Sequence, residues 1–265
     1  MELGGIEMKT AKDAYDRVLA ARSKRKISVH KLIQGITEDF VELHGDRAYQ
    51  DDPAVVGGIG TINQRPVTIV GIQKGFDTKS SLKRHFGSAE PSGYRKARRL
   101  MREAAKFNRP IVTLINTPGA YPGVDAEYHG QGYNIAQSII QGLNLPVPYV
   151  SVIVGEGGSG GAIALAVGDT VWAFENSVYS ILSPEGFATI LWKDSSRARE
   201  AASVMGLTPQ TLLKQHVIDR IVPEVKDRRT MKHFKRMLID EIRDLSQMPK
   251  AELLRRRHAR FRKFN

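Results

Sequence analysis

Apolar positions along the chain alternate between short continuous runs and a spacing near 3.6, and the switches mark its elements. Leu32, Ile36, Phe40 and Leu43 recur at helical spacing, which predicts an amphipathic helix over residues 28–43 with Ser28 as its cap. Upstream, residues 8–31 mix Lys, Arg and Ala with scattered aliphatics, and Val18, Ala21 and Arg22 suit a helix. Residues 54–62 (AVVGGIGTI) and 66–73 (PVTIVGIQ) read as strands joined by Asn63-Gln64-Arg65 into a hairpin. Residues 74–91 are polar and predict a loop. Residues 92–107 predict a helix with Tyr94, Ala97, Met101, Ala104 and Ala105 along one side and the arginines along the other. A buried-type strand over 111–115 leads into a glycine–proline loop. A helix over 126–143 follows, with Ile135, Ile139 and Leu143 spaced by four. The apolar run 149–154 predicts a second strand. It passes through GEGGSGG, residues 155–161, into a small-residue stretch that fits only a tightly packed helix.

Past Asp169, residues 171–175 and 178–182 read as strands. Ser183-Pro184-Glu185-Gly186 turns the chain into a helix over 187–192, and residues 197–205 form another that ends at Gly206. Thr208-Pro209 is an N-cap followed by proline at the first helical position. A short strand over 217–222 precedes a long helix over 228–245 with Met231, Phe234, Leu238 and Ile242 on one face. Strand–loop–helix therefore occurs twice in tandem, an α/β pattern with parallel strands. Both special loops leave the C-terminal ends of their strands, where open α/β sheets place ligands. No linker interrupts this order. The chain reads as a single domain, with a helical extension over 1–43, a core over 44–223 and a helical, basic tail over 224–265.

Composition narrows the chemistry. The chain has 265 residues and no cysteine, which excludes disulfides, thiolate nucleophiles and cysteine-based zinc sites. Residues 1–12 lack the apolar core of a signal peptide and no run is long enough to span a bilayer, so the expectation is a soluble, cytoplasmic protein. The net charge is +12, which suits nucleic acid, an anionic cofactor or an acidic partner, or is unevenly solvated surface charge. Half of that excess lies in residues 250–265, with seven cations against Glu252. That tail is read as a helix end or a frayed arm, with a surface role or a specific anion contact. Lys74, Lys79, Lys83, Arg84 and His85 supply a second basic cluster, either facing an anion or solvated. Asp46, Asp51 and Asp52 lack metal-ligand spacing and read as a solvated turn.

The glycine run admits three readings. Residues 155–160 fit G-x-G-x-x-G, with Glu175 twenty residues on as a ribose acid. The helix that follows is too short for a normal dinucleotide crossover. Residues 157–161 fit G-x-S-x-G, with Ser159 as nucleophile and His216, His233 or His258 as base. Against this, neighbouring glycines would leave Ser159 loosely held. In the third reading glycine lets a ligand approach the backbone, and consecutive N–H groups at a helix start stabilise a developing enolate. Five glycines in seven residues, facing a second glycine loop, exceed what tight packing alone asks for.

At these loops the chain resembles the α subunit of bacterial acetyl-CoA carboxylase carboxyltransferase. The resemblance rests on NTPGAYPG (116–123), GEGGSGGA (155–162), SPEGFATILW (183–192), ELHGDR (42–47), DDPAVVGGI (51–59) and GYRKARRL (93–100), in order from about residue 40 to 223. It implies a crotonase-like (ClpP/crotonase) α/β fold, a spiral of ββα turns with helical extensions at both ends. It also implies the activity: the carboxyl group passes from carboxybiotin to acetyl-CoA, giving malonyl-CoA, the committed step of fatty acid synthesis. Another crotonase-fold acyl-CoA enzyme, a decarboxylase or hydratase acting without biotin, is the alternative. By the same resemblance Gly160 and Gly161 are catalytic, donating backbone N–H groups to the ureido oxygen of biotin. Gly119, Ala120, Tyr121, Pro122 and Gly123, with Gly157 and Gly158, would line the carboxybiotin side. This chain would bind no metal or cofactor of its own. Its implied partners are a zinc-ribbon β subunit in an α2β2 heterotetramer, the biotin carboxyl carrier protein and biotin carboxylase, with no membrane or nucleic-acid role. Asn116 stands where the family usually has Asp, Asp125 replaces a usual Gly, and Tyr128-His129 replaces a more charged pair.

Overall fold

The computed structural model describes residues 13–264; the start of the predicted 8–31 helix and the segment tested for a signal peptide lie outside them. Helix α1 (Ala14–Arg22) opens at Asp13, whose side chain accepts from the backbone of Asp16 at 2.7 Å. Helix α2 (Val29–Ile36) starts at Ser28 as expected, with the Ser28 side chain accepting from Lys31 N. The helix predicted over 28–43 stops there. Thr37 turns extended while its hydroxyl donates to Ile33 O at 2.7 Å. Strand β1 (Phe40–Glu42) then pairs antiparallel with β2 (Val55–Ile62), Phe40 opposite Gly60. Phe40 and Leu43 match the helical spacing, but ladder hydrogen bonds to a neighbouring strand outweigh it. The hairpin to β3 (Arg65–Ile72) turns through Asn63 (φ 51°) and Gln64 (φ 62°), the left-handed pair whose twist suits antiparallel strands.

Part of the predicted 74–91 loop is helical. Helix α3 (Thr78–Lys83) is held by a capping box between Asp77 and Ser80. It buries no residue, so no apolar periodicity marks it. Helix α4 (Pro91–Lys106) follows, and β4 (Ile111–Thr117) is buried along its whole length. The helix expected over 126–143 is two helices, α5 (Val124–Tyr128) and α6 (Gln131–Leu143). Gly130 sits between them at φ 77°, and Asn134 Nδ2 donates to the Gly130 carbonyl at 2.9 Å, closing the break. Strand β5 (Tyr149–Gly158) absorbs most of the glycine run, and helix α7 (Ser159–Ile163) is only five residues long. The remaining elements are β6 (Thr170–Phe174), β7 (Val178–Ser180), α8 (Pro184–Trp192), α9 (Ala198–Val204), α10 (Pro209–Lys214), β8 (Arg220–Val222), α11 (Arg228–Ser246) and α12 (Lys250–Arg262).

The strands form one mixed sheet in the order β1-β2-β3-β4-β5-β6-β8, with β7 pairing the far end of β5. From β3 onward neighbouring strands are parallel. Strand–strand–helix order occurs as β6-β7-α8 and, with the short α3 before the long helix, as β2-β3-α3-α4. Alternation along the strands builds two cores. Ile111, Ile115, Tyr149 and Ile153 pack under Tyr94, Leu100 and Met101 of α4. Val112, Leu114, Val150 and Val152 face Leu32 and Ile36 of α2 and Phe234 and Leu238 of α11.

Two polar expectations change. The acidic turn is not solvated, because Asp46 and Asp52 are buried. Arg95 of α4 pairs with Asp46 at 2.7 Å, and the fully buried Lys96 donates to Asp52 O at 3.1 Å and to the carboxylate of Asp51 at 2.5 Å. The cationic side of α4 is therefore partly interior, since a buried cation demands a buried or near-buried anion. Nor is the C-terminal tail a frayed arm. Arg257 of α12 is fully buried, forks onto Asp169 at 2.8 and 2.7 Å, and donates to the carbonyls of Gly142, Leu145 and Val147. Arg260 holds Asp219 at 2.6 Å. Among the described residues, no helix is long and apolar enough to cross a membrane.

Candidate functional site

The site lies where β4 and β5 end side by side. Their parallel register shifts between Ile115 and Thr117, so Thr117 falls opposite Gly157. At the shift, Asn116 Oδ1 accepts from the backbone N–H of Glu156 at 3.1 Å. Such a bulge bends its strand and turns the next residues in a new direction. Asn116 thus has a structural task that a carboxylate oxygen would perform equally. Thr117 Oγ1 then folds the loop, accepting from Gly119 N at 3.0 Å.

The two loops touch. A Cβ on Gly158 would lie 2.0 Å from Pro118 O, and one on Gly161 would lie 2.6 Å from Ala120 N. Both positions exclude any side chain larger than hydrogen unless the companion loop moves. Gly160 differs: a Cβ there would make only ordinary contact, 3.4 Å from Ile135. The seven residues of the glycine run are therefore not equivalent. Gly157 and Gly158 are buried in β5 and border a narrow cleft of about 50 Å³. Gly160 lines a cavity of about 510 Å³ together with Ser159, Ile163, Tyr179, Leu182 and Phe187. Gly161 is buried against Gly119 and Ala120. At the start of α7 the first N–H groups have no intrahelical acceptor.

The rest of the 119–123 loop is pinned from behind. Tyr121 N donates to Ala89 O at 3.0 Å, and Gln131 Nε2 donates to both Ala89 O and Tyr121 O. The Tyr121 ring stacks on His85, centroids 4.2 Å apart. Pro122 is exposed, and Gly123 leaves room for the Tyr121 ring, 2.4 Å from where its Cβ would be. His85, Phe86 and Gly87 are consecutive left-handed residues, at φ 45°, 53° and 88°. Backbone strain of this kind clusters at functional sites. Of the second basic cluster, Lys74 pairs with Glu156 and His85 lies 3.5 Å from Glu90. Lys83 and Arg84 instead border a separate cavity with His44 and Lys96.

Sequence reasoning passed over the charges that brace the glycine strand. Glu156, inside the glycine run, is nearly buried and accepts from Arg22 Nε at 2.8 Å. Arg22 also forks onto Glu185 at the start of α8, at 2.7 and 3.0 Å. That pair, with Arg22 as the first cause, holds the Glu185 carboxyl below its ordinary range. One arginine from α1 thus ties β5 to α8 across the cleft. A glutamate among five glycines was the available signal. The Tyr94 hydroxyl is also missed: it is fully buried without a hydrogen-bond partner, 3.0 Å from the position of a Gly161 Cβ, and burial pushes its pKa upward.

The competing motif readings lose their supporting geometry. Ser159 is far from loosely held: it sits at φ 49° on a sharp strand-to-helix turn. Among the described residues, however, no histidine hydrogen-bonds to it. His216 and His233 are exposed, and His258 contacts Leu143 O at 3.1 Å. The dinucleotide reading needs a glycine loop, yet Gly155, Gly157 and Gly158 lie within a strand. Among the described residues, no group of His, Asp or Glu could hold a metal ion.

Comparison with known proteins gives the same direction. The family described as "Acetyl co-enzyme A carboxylase carboxyltransferase-like" matches residues 7–265. The chain is 53% identical over 246 residues to the acetyl-coenzyme A carboxylase carboxyl transferase subunit alpha of Streptococcus sanguinis (strain SK36), covering 92% of this chain and 96% of that one. It is also 53% identical over 249 residues to the protein of the same name from Streptococcus pneumoniae (strain CGSP14), covering 93% and 98%. In structure it is similar to transcarboxylase 12S with methylmalonyl-coenzyme A and methylmalonic acid bound, at TM-score 0.69 and 20% identity, over 84% of this chain and 42% of that chain. It is likewise similar to the beta subunit of P. aeruginosa geranyl-CoA carboxylase, at TM-score 0.65 and 17% identity, over 87% and 45%. The chain spans under half the length of those two structures, and the likeness is one of fold, the crotonase-like fold.

Proposed function

The chain belongs to the acetyl-CoA carboxylase carboxyltransferase α-subunit family, and from that premise we propose that its paired glycine loops hold carboxybiotin during carboxyl transfer to acetyl-CoA. The observation that carries the site assignment is the direct contact of the 119–120 backbone with Gly161 at the ends of two adjacent parallel strands. In the reaction the bond between the biotin ring nitrogen and the carboxyl carbon breaks, and a bond forms from that carbon to the acetyl methyl carbon. The methyl proton goes to the freed ring nitrogen. Negative charge builds on the biotin ureido oxygen as its nitrogen leaves, and the N–H groups of Gly160 and Gly161 are the donors for it. Fixed backbone dipoles suit this task because they need no reorganisation as charge appears. No side-chain base is required of this chain, and Ser159 is a spectator. Gly119, Ala120, Tyr121, Pro122 and Gly123 form the wall opposite, with Gly157 and Gly158 setting the distance between the loops.

The acetyl-CoA side then belongs to a β subunit carrying the zinc, in an α2β2 assembly in the cytoplasm. A biotin carrier protein, charged by biotin carboxylase, is the donor. Residues 1–265 act as one carboxyltransferase domain in this reading. Mixed with a cognate β subunit, the chain is expected to catalyse malonyl-CoA-dependent carboxylation of biocytin, and neither subunit alone should do so. Absence of turnover in an assembled complex would overturn the reading. Ser159→Ala should leave turnover within about threefold, since a serine hydrolase would lose several orders of magnitude.

A further inference from the structure

One strongly charged surface has no part in the site above. The connection from α1 to α2 and the first turns of α11 border two adjoining grooves of about 730 and 520 Å³, which share Ile27, Lys31, Val225 and Lys226. Lys24, Arg25, Lys31, Lys226, Arg228 and Lys232 line them, all exposed and none in an ion pair among the described residues. Elsewhere many of the chain's cations are matched, as Arg22, Arg95, Lys96, Arg257 and Arg260 are. The groove's two acids offset little of this charge, since only Asp227 stands against the six unpaired cations. Glu224 is buried in a pair with Lys26 at 2.6 Å, and Asp227 caps α11 by accepting from Thr230 N at 2.8 Å.

The groove is built on a fixed floor. Lys26 Nζ donates to Asn176 O at 3.1 Å as well as to Glu224, which ties the 23–27 connection to the segment after β6. It also adjoins the candidate site. Val18 and Arg22 of α1 border the cleft at Glu156 and Gly158, while Ala20 and Ser23, at the same end of the chain segment, border the basic groove. The nine-residue helix α1 is thus the wall between them.

We propose that this groove docks an acidic face of the biotin carrier protein, steering the carrier to the side of α1 opposite the glycine loops. The inference rests on the reading that a carrier protein delivers the biotin. Exposed lysines and arginines on flexible stems give steering and register rather than a shaped pocket. Among the described residues, no buried, unpartnered polar side chain lines the groove, as a small anion's site would have. Phe76 is the exposed aromatic at its rim, a poor platform for successive nucleic-acid bases.

The test uses the assembled α–β complex carrying Lys24→Glu, Arg25→Glu and Lys226→Glu together. None of these residues belongs to the proposed catalytic machinery. At low salt the KM for a biotinylated carrier protein should rise about tenfold or more, and its dependence on ionic strength should flatten. The kcat and KM for free biocytin and the KM for acetyl-CoA should not change. An unchanged carrier KM overturns the proposal. So does a rise confined to acetyl-CoA, which would assign the groove to a phosphate-bearing ligand, or loss only of single-stranded RNA binding. If the wild-type complex turns over no biocytin, the reading of the reaction fails. The docking proposal is then decided by direct titration of the carrier protein against wild-type and variant complexes, with equal affinities overturning it.

Discussion

Gly160 and Gly161 adjoin in the chain and differ in what surrounds them. Gly160→Ala places a methyl group in the cavity at ordinary contact distance from Ile135, so the fold should tolerate it. Its stability should fall by no more than about 1 kcal/mol, the helix start being undemanding, while turnover drops because the cavity narrows at the proposed donor. Gly161→Ala must move the backbone at Ala120, and overpacking of that kind costs about 1–3 kcal/mol. Chemical denaturation beside biocytin kinetics separates the two, and equal stability losses would contradict the geometry. Asp52 offers a test by pH. Burial is the first cause that pushes its carboxyl up to about 6, against the lowering effect of the Ala54 and Glu90 N–H groups. A folded pKa above the unfolded one stabilises the fold at low pH, and this contribution is lost as pH rises through about 6. The stability difference between wild type and Asp52→Asn should therefore change between about pH 4 and 6, by at most about 3 kcal/mol. A pH-independent difference would show that the carboxyl is not perturbed.

Helices at both ends of the chain act as clamps. Helix α12 is anchored by Arg257, whose guanidinium spends all its donors on Asp169 and three carbonyls at the turn between α6 and β5. Removing one partner of a buried pair strands the other, so Arg257→Ala should cost about 3–5 kcal/mol in unfolding free energy. Arg255→Ala, on the exposed face of the same helix, should leave stability nearly unchanged. Comparable losses would mean that α12 is not docked as described. Helix α1 does the same at the other end, its Arg22 spanning Glu156 and Glu185. Element existence was largely legible from periodicity, because β4, β5 and α4 carry long apolar patterns. Boundaries were less so. Helix α3 has no apolar face to read, and the α5–α6 break depends on a single glycine at φ 77°.

Across the whole molecule, large apolar side chains remain exposed: Ile181, which lines the cavity, is 82% exposed, and Ile190 and Leu191 lie on α8, whose Phe187 also lines it, and are each more than half exposed. Exposed apolar surface beside a site often marks a protein contact. In the α–β reading a partner covers them, so Ile181→Asp should weaken assembly with the β subunit about tenfold or more while leaving this chain's own stability unchanged. Sedimentation of the mixed subunits checks this, and unimpaired assembly would place the partner elsewhere. Asp125 and Tyr128 fall on exposed positions of α5, away from the packed glycines.

The α/β class, the hairpin, the 116–123 loop and most of the strand and helix order follow from local pattern, since each depends on residues within a few positions of one another; β1, α3 and the strand conformation of residues 155–158 do not. The family likeness added the chemistry. Which glycine faces a cavity and which faces a backbone could not be read along the chain, because it depends on β4 and β5 lying side by side with a register shift between them. The fate of the charges was equally hidden. Arg257 and Asp169 are 88 positions apart, and Arg22 and Glu156 are 134 apart. A cation's sequence neighbours set local charge density, but the burial of its partner sets whether it is a strut or a free surface charge.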